Sequence, residues 1–518
     1  MPYQTSPEID FSSIGLMVDV PSNAIPQGGW SDALNVRCRN GSVQGVNAFA
    51  NDILLHHTDA NIANGEAKAV CQYTPAGGSS LVIAYIVKGV NGNGSVLLYD
   101  TGGSGNSRWD DITNATAVNV FTFDDDYPPQ IFVFNELIIV NPGTDAPPQF
   151  TTATNAAGSL APIPGWQNDS TGSPIICRIL RPFNQRLIAM SIKEEHTSSA
   201  SDDVYLPIDF LFSSHITTIA SLTAAQWTAS STNTAGDVFL NATPGAILDG
   251  GQLGEFFIAY KTDSVVRVRE TGDTSVLAVE SIFEDDGIYS TRCFANIGNS
   301  QHLVVGNYGI YIHDGQSEKQ DIAKDLFQDT MFALVKSAER NRTFVFQQTR
   351  DKEVWLCLPT NTNSTTGCDL AFVYDYSSGK IHKRTLPGVT DIFETEFEGD
   401  LKIYATKSGT TLQTLSNTVL ESGGYFERIN DNLTSNGGVK HISRIEVNAV
   451  GGCLLALTGT QNLSDTASYT NITFNPDTDH KVDVRTSGRY MNLKVTMNGT
   501  TNPQLSKLQF GIKLMGVR

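Results

Sequence analysis

At 518 residues the chain exceeds what one hydrophobic core serves, and about two to four structural units are expected. Hydrophobic residues make up 40% and charged residues only 17%, against a usual charged share of roughly 25%. The polar surface therefore falls to Ser, Thr, Asn and 45 Gly, a mixture that suits short strands and tight turns and argues against long helices. The net charge of −19, with 35 Lys+Arg against 54 Asp+Glu and no dense basic cluster, argues against tight duplex binding but allows an acidic wall past which DNA slides.

The opening MPYQTSPEIDF lacks the basic start and apolar core of a signal peptide, and no run of about 18 apolar residues predicts a membrane span. Residues 33–39 and 42–46 alternate apolar and polar side chains around Asn40-Gly41. An Asn-Gly pair supplies the two positive φ angles of a type I′ turn, so a hairpin is predicted. Residues 1–65 read as a leader segment carrying it.

From 66 to about 416 a loose repeat of strand, polar turn and strand recurs. Its members include LVIAYIV (81–87), IFVFNELIIVNP (131–142), NQRLIAMSI (184–192), EFFIAYKTDSVVRV (255–268), HLVVGNYGIYIHDG (302–315), VWLCLPT (354–360) and LKIYATKSGTTLQTL (401–415). The spacing approaches the 40–50 residues of a four-stranded propeller blade. A single blade cannot hide both faces of its sheet, whereas neighbours stacked about an axis can. The expected fold is all-β: a β-propeller of about six blades, preferred over an array of sandwiches because the units resemble one another.

Two stretches interrupt the series. Residues 194–250, rich in Ser, Thr and Ala, read as an insertion or elaborated blade, with a short helix at 221–227 capped by Ser221 and facing Leu222 and Trp227 inward. Residues 323–339 place Leu326, Phe327, Met331, Leu334 and Val335 on one face at helical period, predicting the best helix of the chain. Beyond 417, regularly spaced strands predict an antiparallel β-sandwich over 417–518, suited to docking.

Motifs of chemistry are absent: there is no Walker A, HExxH or GxSxG pattern. The run 89–94 (GVNGNG) joins two strands and reads as a hairpin turn, since no helix follows to offer a dipole to phosphate. The acidic triplets 124–126 and 284–286 lack calcium-loop spacing and read as solvated loops. Seven widely spaced cysteines, without CxxC, read as buried reduced thiols, and the histidines lack ligand spacing. The carboxylates a propeller glycosidase would need have only Asp369, Asp375, Asp391, Glu394 and Glu396 as candidates, none locally distinguished from turn or edge residues. The five Trp stand apart, without the interleaved basic residues of a nucleic-acid platform. No catalytic residue, cofactor or metal is expected.

Two segments carry a resemblance. Gly15-Leu16-Met17, then Pro26 to Arg37 (PQGGWSDALNVR), then Asn40-Gly41-Ser42-Val43 resembles the start of the tail nozzle (tail stabilisation, or tail tubular) proteins of short-tailed bacteriophages. Val482 to Leu493 (VDVRTSGRYMNL), with Gly516-Val517-Arg518 at the end, is similar to that family's terminal domain. The resemblance implies a non-enzymatic virion protein, assembled in the host bacterial cytoplasm. Its subunits, usually six, form a ring that extends the DNA exit channel below portal and adaptor, and that retains and then releases the genome. Implied partners are further copies of the chain, the adaptor, fibres or a needle, and genome DNA in passage. On this basis Trp30, Asp32, Asn35 and Arg37 are expected to anchor the leader, and Gly488, Arg489 and Tyr490 to brace the terminal sandwich. The alternatives are a tail-fibre adhesin binding host glycans through propeller loops and a propeller glycosidase.

Overall fold

The computed structural model describes residues 4–54, 65–73, 81–87, 94–100, 109–113, 121–122, 124, 126–144, 146–151, 160–166, 175–194, 203–216, 222–272, 276–298, 300–316, 318–362, 367–397, 400–407, 411–434, 437–497 and 503–515. Strands dominate, and five four-stranded antiparallel meanders follow one another along the chain.

Sheet I comprises Glu66–Tyr73, Leu81–Val87, Gly94–Asp100 and Trp109–Asp111. Sheet II is Gln130–Phe134, Leu137–Asn141, Gln149–Thr151 and Ala161–Pro162, and sheet III is Ile175–Phe183, Arg186–Glu194, Val204–Phe212 and Gly236–Phe239. Sheet IV is Ile247–Leu253, Phe256–Lys261, Val265–Glu270 and Leu277–Phe283, and sheet V is Phe294–Ile297, Gln301–Val305, Ile310–His313 and Lys319–Asp321. Sheet VI has seven strands: Phe344–Gln348, Glu353–Leu358, Cys368–Asp375, the 18-residue Lys380–Phe397, Asp400–Lys407, Thr411–Leu420 and the leader strand Asn47–Leu54.

The turns explain the meanders. Asn40-Gly41, Asn135-Glu136 and Asn184-Gln185 each hold two consecutive positive φ angles, the type I′ geometry that matches strand twist. Asn tolerates this because its short amide bonds locally, so the repeat turns need no glycine.

Sheet VI bends at Leu386–Gly388, where Cys368 changes partner register and Gly388 takes φ +80°. Its halves then face each other across a core of Trp355, Cys357, Val373, Ile392, Ile403 and Ala405. The first strands of successive sheets lie side by side: I on II, II on III, III on IV, and V on VI. Between IV and V, Gly251 lies so close to the Phe294 ring that a Cβ would sit 2.7 Å from it. The second half of Lys380–Phe397 returns against Glu66–Tyr73. The sheets therefore close radially about an axis, and the fold is a β-propeller. Pairing of Asn47–Leu54 with Thr411–Leu420 ties the leader to the last strand of the ring.

The leader does not stand apart. Val36–Arg39 and Ser42–Gly45 form the predicted hairpin and extend a terminal sheet with Gln504–Leu514, Lys440–Val450 and Lys481–Gly488; Gln4–Thr5 and Ile9–Asp10 also pair with Gln504–Leu514. Asp32–Leu34 joins the facing sheet of Gly424–Asp431, Tyr490–Met497, Cys453–Thr460 and Thr470–Ile472. Trp30, Phe11, Phe426, Ile442, Leu455, Val495 and Phe510 fill the core between them, and the same core continues through Leu16, Ile381 and Phe372 into the propeller.

Other expectations need correction. The helix predicted over 323–339 shrinks to α1 (Gln328–Leu334). Asp321 Oδ1 accepts the N–H groups of Ala323 and Lys324 at 2.9 Å each, Asp325 takes φ +60°, and the Lys336 N–H bonds the Pro359 carbonyl at 2.9 Å. Turns at both ends thus consume backbone groups that a longer helix would use, while Phe327, Met331 and Val335 still bury. The second short helix is the 3-10 turn Ala224–Gln226; Leu222 and Trp227 are buried as predicted, and Ser221 lies outside the described residues. The insertion near 194–250 contributes the two outer strands of sheet III, with Pro207 at the register shift between Met190 and Ile192, where no ladder donor is needed. Residues 88–93 of the glycine-rich turn lie outside the described residues, but the strands they join pair as Val87↔Gly94. Asp286, expected in a solvated loop, is buried and accepts the N–H groups of Gly287 and Asn307 at 2.9 Å each. Six of the seven unpaired cysteines are buried and Cys71 is half-buried.

Candidate functional site

Four of the seven residues singled out by sequence converge on one seam, where the leader passes between the first half of sheet VI and the terminal sandwich. Trp30 is fully buried; its indole N–H donates to the Phe11 carbonyl at 2.9 Å and its ring stacks on Phe426 at 5.1 Å. It thereby pins two leader turns to the sandwich core.

Asp32 faces both bodies at once. Its Oδ1 receives the Lys383 ammonium at 2.6 Å, and its Oδ2 accepts the Tyr425 hydroxyl at 2.7 Å. Burial, then the Asp32 carboxylate, pushes the Tyr425 phenol far above its ordinary range, so it remains a donor.

Asn35 sits at φ +54° and is buried. Its N–H donates to the Lys383 carbonyl at 2.8 Å, and its amide Nδ2 to the Ser422 carbonyl at 2.9 Å. Its Oδ1 accepts Thr385 N at 2.7 Å and Thr385 Oγ1 at 3.1 Å. One amide thus fastens sheet VI, the leader and the approach to the terminal sheet.

Arg37 donates to Asp351 Oδ2 at 3.0 Å and Glu353 Oε1 at 3.2 Å, and Arg39 adds a 2.9 Å ion pair to Asp351. Behind it, Glu353 Oε2 accepts the Trp355 indole N–H at 3.0 Å, and the Arg384 guanidinium lies 4.1 Å from the Trp355 ring centroid while donating to the Asn47 carbonyl at 2.8 Å. Burial lowers Arg384 to about 10 and pushes Glu353 up, with Arg37 only partly offsetting the latter. Burial, with Arg37 and Arg384 alongside, drives His382 well below its usual range, so its imidazole is neutral at pH 7.

Sequence reasoning missed Lys383, Thr385, Asp351, Glu353, Tyr425 and Arg428. Arg428 reaches out of the terminal sheet to the carbonyls of Ser22 and, at 2.7 Å, Ile25. The available signal is the run HKRT at 382–385, a strand segment with no apolar residue, in which His382 and Arg384 are buried and Lys383 and Thr385 half-buried.

The other three predicted residues lie at a corner of the sandwich, apart from the seam. The chain leaves one sheet at Gly488 and enters the other at Tyr490. A Cβ on Gly488 would stand 2.6 Å from Gly459 Cα, so the two backbones touch because both residues are glycine. Arg489 braces this corner through its backbone: its N–H donates to Thr460 O at 2.8 Å and its carbonyl accepts Lys440 Nζ at 2.7 Å. Tyr490 pairs with Thr460 in the ladder.

Around the propeller axis a second polar chain links the sheets. Gln130 Oε1 accepts Leu180 N at 2.8 Å, Arg181 donates to Asp249 at 3.1 Å, and Asp249 accepts Arg292 N at 2.7 Å. The Arg292 guanidinium pairs with Asp391, whose other oxygen takes Val70 N at 3.1 Å, closing sheet VI onto sheet I.

The glycosidase candidates are held in structural bonds. Asp391 serves that closure; Asp369 accepts Thr360 N at 2.7 Å and its hydroxyl at 2.6 Å; Asp375 caps the turn through Ser377 and Ser378; Glu394 accepts Thr349 N at 2.8 Å. The Glu396 side chain lies outside the described residues.

No family model and no curated protein matches the chain. Among solved structures it is similar to the WD40 β-propeller domain of Doa1, at 10% identity and TM-score 0.37 over 72% of this chain and 97% of that one. It is also similar to an ancestral GH74 enzyme, at 10% identity and TM-score 0.34, over 76% of this chain and 49% of that one. Apo AztD from Citrobacter koseri matches at 12% identity and TM-score 0.33, over 67% of this chain and 92% of that one. These are likenesses of fold.

Proposed function

We propose that the chain is the nozzle subunit of a short phage tail, a non-catalytic structural protein whose copies assemble into a ring, in the nozzle family usually of six, extending the DNA exit channel. One observation carries this reading. The two segments that resemble the nozzle family, at opposite ends of the sequence, flank the same strand: Gly424–Asp431 pairs with Asp32–Leu34 on one edge and Tyr490–Met497 on the other. They are halves of one motif, and that motif welds a propeller to a sandwich, as a mechanical part under load would require.

The structural bonds held by Asp369, Asp375, Asp391 and Glu394 favour a non-catalytic reading over the glycosidase one. The −19 charge supports a channel wall that DNA passes without sticking. Five quartets and two halves of sheet VI make seven blades in this reading, one more than the six or so expected from spacing. Adaptor, fibres or needle, and virion location belong to the same proposal.

Negative-stain images of the purified chain test it. Rings with a stain-filled axial hole are expected; solitary compact particles at high protein concentration would reject the nozzle role.

A further inference from the structure

Charge is spread unevenly along the chain. Residues 417–518 carry 10 Lys+Arg against 8 Asp+Glu, whereas residues 1–416 carry 25 against 46. The whole acidic surplus therefore lies outside the terminal segment.

Within that segment positive groups gather on one sheet face. In Lys440–Val450, Lys481–Gly488 and Gln504–Leu514 the side chains of Ile445, Val482, Leu508, Phe510 and Ile512 turn into the core, so alternate positions look outward. Register sets Lys481 beside Glu446, Arg444 beside Asp483 and Lys507 beside Asn448. Arg485 and Lys513 bring the cations of the face to five, against Asp483, Glu446 and Glu8. Lys481, Arg485 and Lys507 are exposed. Arg444 lies flat over Gly511, where a Cβ would meet its Cγ at 2.5 Å, which keeps the face level.

The outer rim of sheets IV and V is the opposite. Glu280, Glu284, Asp285, Asp314, Glu318 and Asp321 are all exposed there. Arg267 joins the two sheets, pairing with Glu280 at 2.6 Å and donating to the Gly315 carbonyl at 2.9 Å, and Lys319 pairs with Asp285 at 2.8 Å. With Arg267, Arg269 and Lys319 as its cations, the rim keeps a negative excess.

We propose that these surfaces form one contact, the terminal sheet face of one copy docking on the sheet IV–V rim of the next. The inference rests on the nozzle reading and names the surfaces its ring would use. Two different patches on one chain make a head-to-tail contact, the kind that closes into a ring. Face against face or rim against rim opposes like charges, so the charge pattern also sets direction. Each exposed pair contributes little, and together they steer and orient the encounter. Duplex DNA suits the face less well, because Asp483 and Glu446 stand among its cations where a phosphate-tracking surface would be basic throughout.

Native mass measurement of the full chain tests it with two variants altered only at exposed positions. One carries Lys481→Glu, Arg485→Glu and Lys507→Glu on the face, and the other Glu284→Lys and Glu318→Lys on the rim. Each alone keeps the wild-type melting temperature but needs about 30-fold more protein to assemble. Mixing the two restores rings of alternating chains, since acidic face then meets basic rim and basic face meets acidic rim. A chain bearing all five substitutions assembles like the wild type. Raising salt from about 0.05 to about 0.5 M weakens wild-type assembly about tenfold.

Wild-type rings with variants that assemble equally well overturn this contact and leave the nozzle reading standing. So does a mixture that fails to reassemble, or a duplex oligonucleotide that binds the wild type and not the face variant. Wild-type chains that stay single at every salt concentration reject the nozzle reading, and this contact with it.

Discussion

Asn35 and Thr385, 350 positions apart in sequence, share two hydrogen bonds: the Thr385 N–H at 2.7 Å and its hydroxyl at 3.1 Å both donate to Asn35 Oδ1. The pair holds the leader to sheet VI, and Asn35 can occupy φ +54° there because asparagine bears the left-handed region better than most residues. Replacing the buried Asn35 by Ala removes the side-chain partner of the half-buried Thr385 N–H and hydroxyl and of the Ser422 carbonyl, and puts a Cβ-bearing residue without local bonds at positive φ. The expected loss is about 2–4 kcal/mol in chemical denaturation. Asn35→Gly relieves the backbone alone and should recover about 1 kcal/mol of it.

Arg37 neutralises a buried carboxylate. Arg37→Met strands Glu353, whose carboxyl burial already pushes upward, and should cost about 3–5 kcal/mol. Arg37→Met with Glu353→Gln removes the stranded charge, so the double variant should be more stable than Arg37→Met alone. Thermal melts of the three chains check the order.

Asp391 closes the ring. Asp391→Ala leaves the Arg292 guanidinium and Val70 N–H without their acceptor and should cost about 3–5 kcal/mol. Amide exchange should accelerate first in Glu66–Tyr73 and the second half of Lys380–Phe397, the two strands that meet there.

Tyr260, His302 and His313 give a pH signature. Their bonds fix every proton: Gly315 N–H to His313 Nδ1 at 3.1 Å, His313 Nε2–H to the Tyr260 oxygen at 2.8 Å, Tyr260 O–H to His302 Nδ1 at 2.7 Å, and His302 Nε2–H to the Gln252 carbonyl at 3.1 Å. Both histidines are therefore neutral. Burial lowers His302 from 6.5 to about 4 and His313 to about 3. Below pH 6.5 the unfolded chain takes up protons that the folded chain refuses, so their contribution is full above 6.5 and declines toward 4 and then 3. Asp209, raised to about 6 by burial, works in the opposite sense between 6 and its ordinary 3.8. Comparison with His302→Gln isolates the His302 part: the melting temperature of the native chain should fall more steeply than the variant's from pH 6.5 to 4.5.

Local order was legible from sequence, and partnership across distance was not. The Asn40-Gly41 hairpin and the strand-turn-strand repeat follow from turn chemistry and period-two alternation within a dozen residues. The helix over 323–339 was over-read because buried loop residues Phe327 and Val335 mimic a helical stripe, while the bonds from Asp321 and to Pro359 that end it involve groups outside that stripe. In Val204–Phe212 a strand was hidden by Pro207 and by exposed side chains that dilute the alternation. Within the seam, Trp30, Asp32, Asn35 and Arg37 stood out through a resemblance, but Lys383, Thr385, Glu353 and Tyr425 became visible only once folding brought them near. Nothing in the local pattern showed that the leader feeds both terminal sheets.

Native mass measurement of the purified assembly tests the central claim most directly. The account predicts a closed ring of identical subunits, six copies of the 56.0 kDa chain, as the dominant species at micromolar concentration and moderate salt. A single 56.0 kDa species across the same range would contradict it.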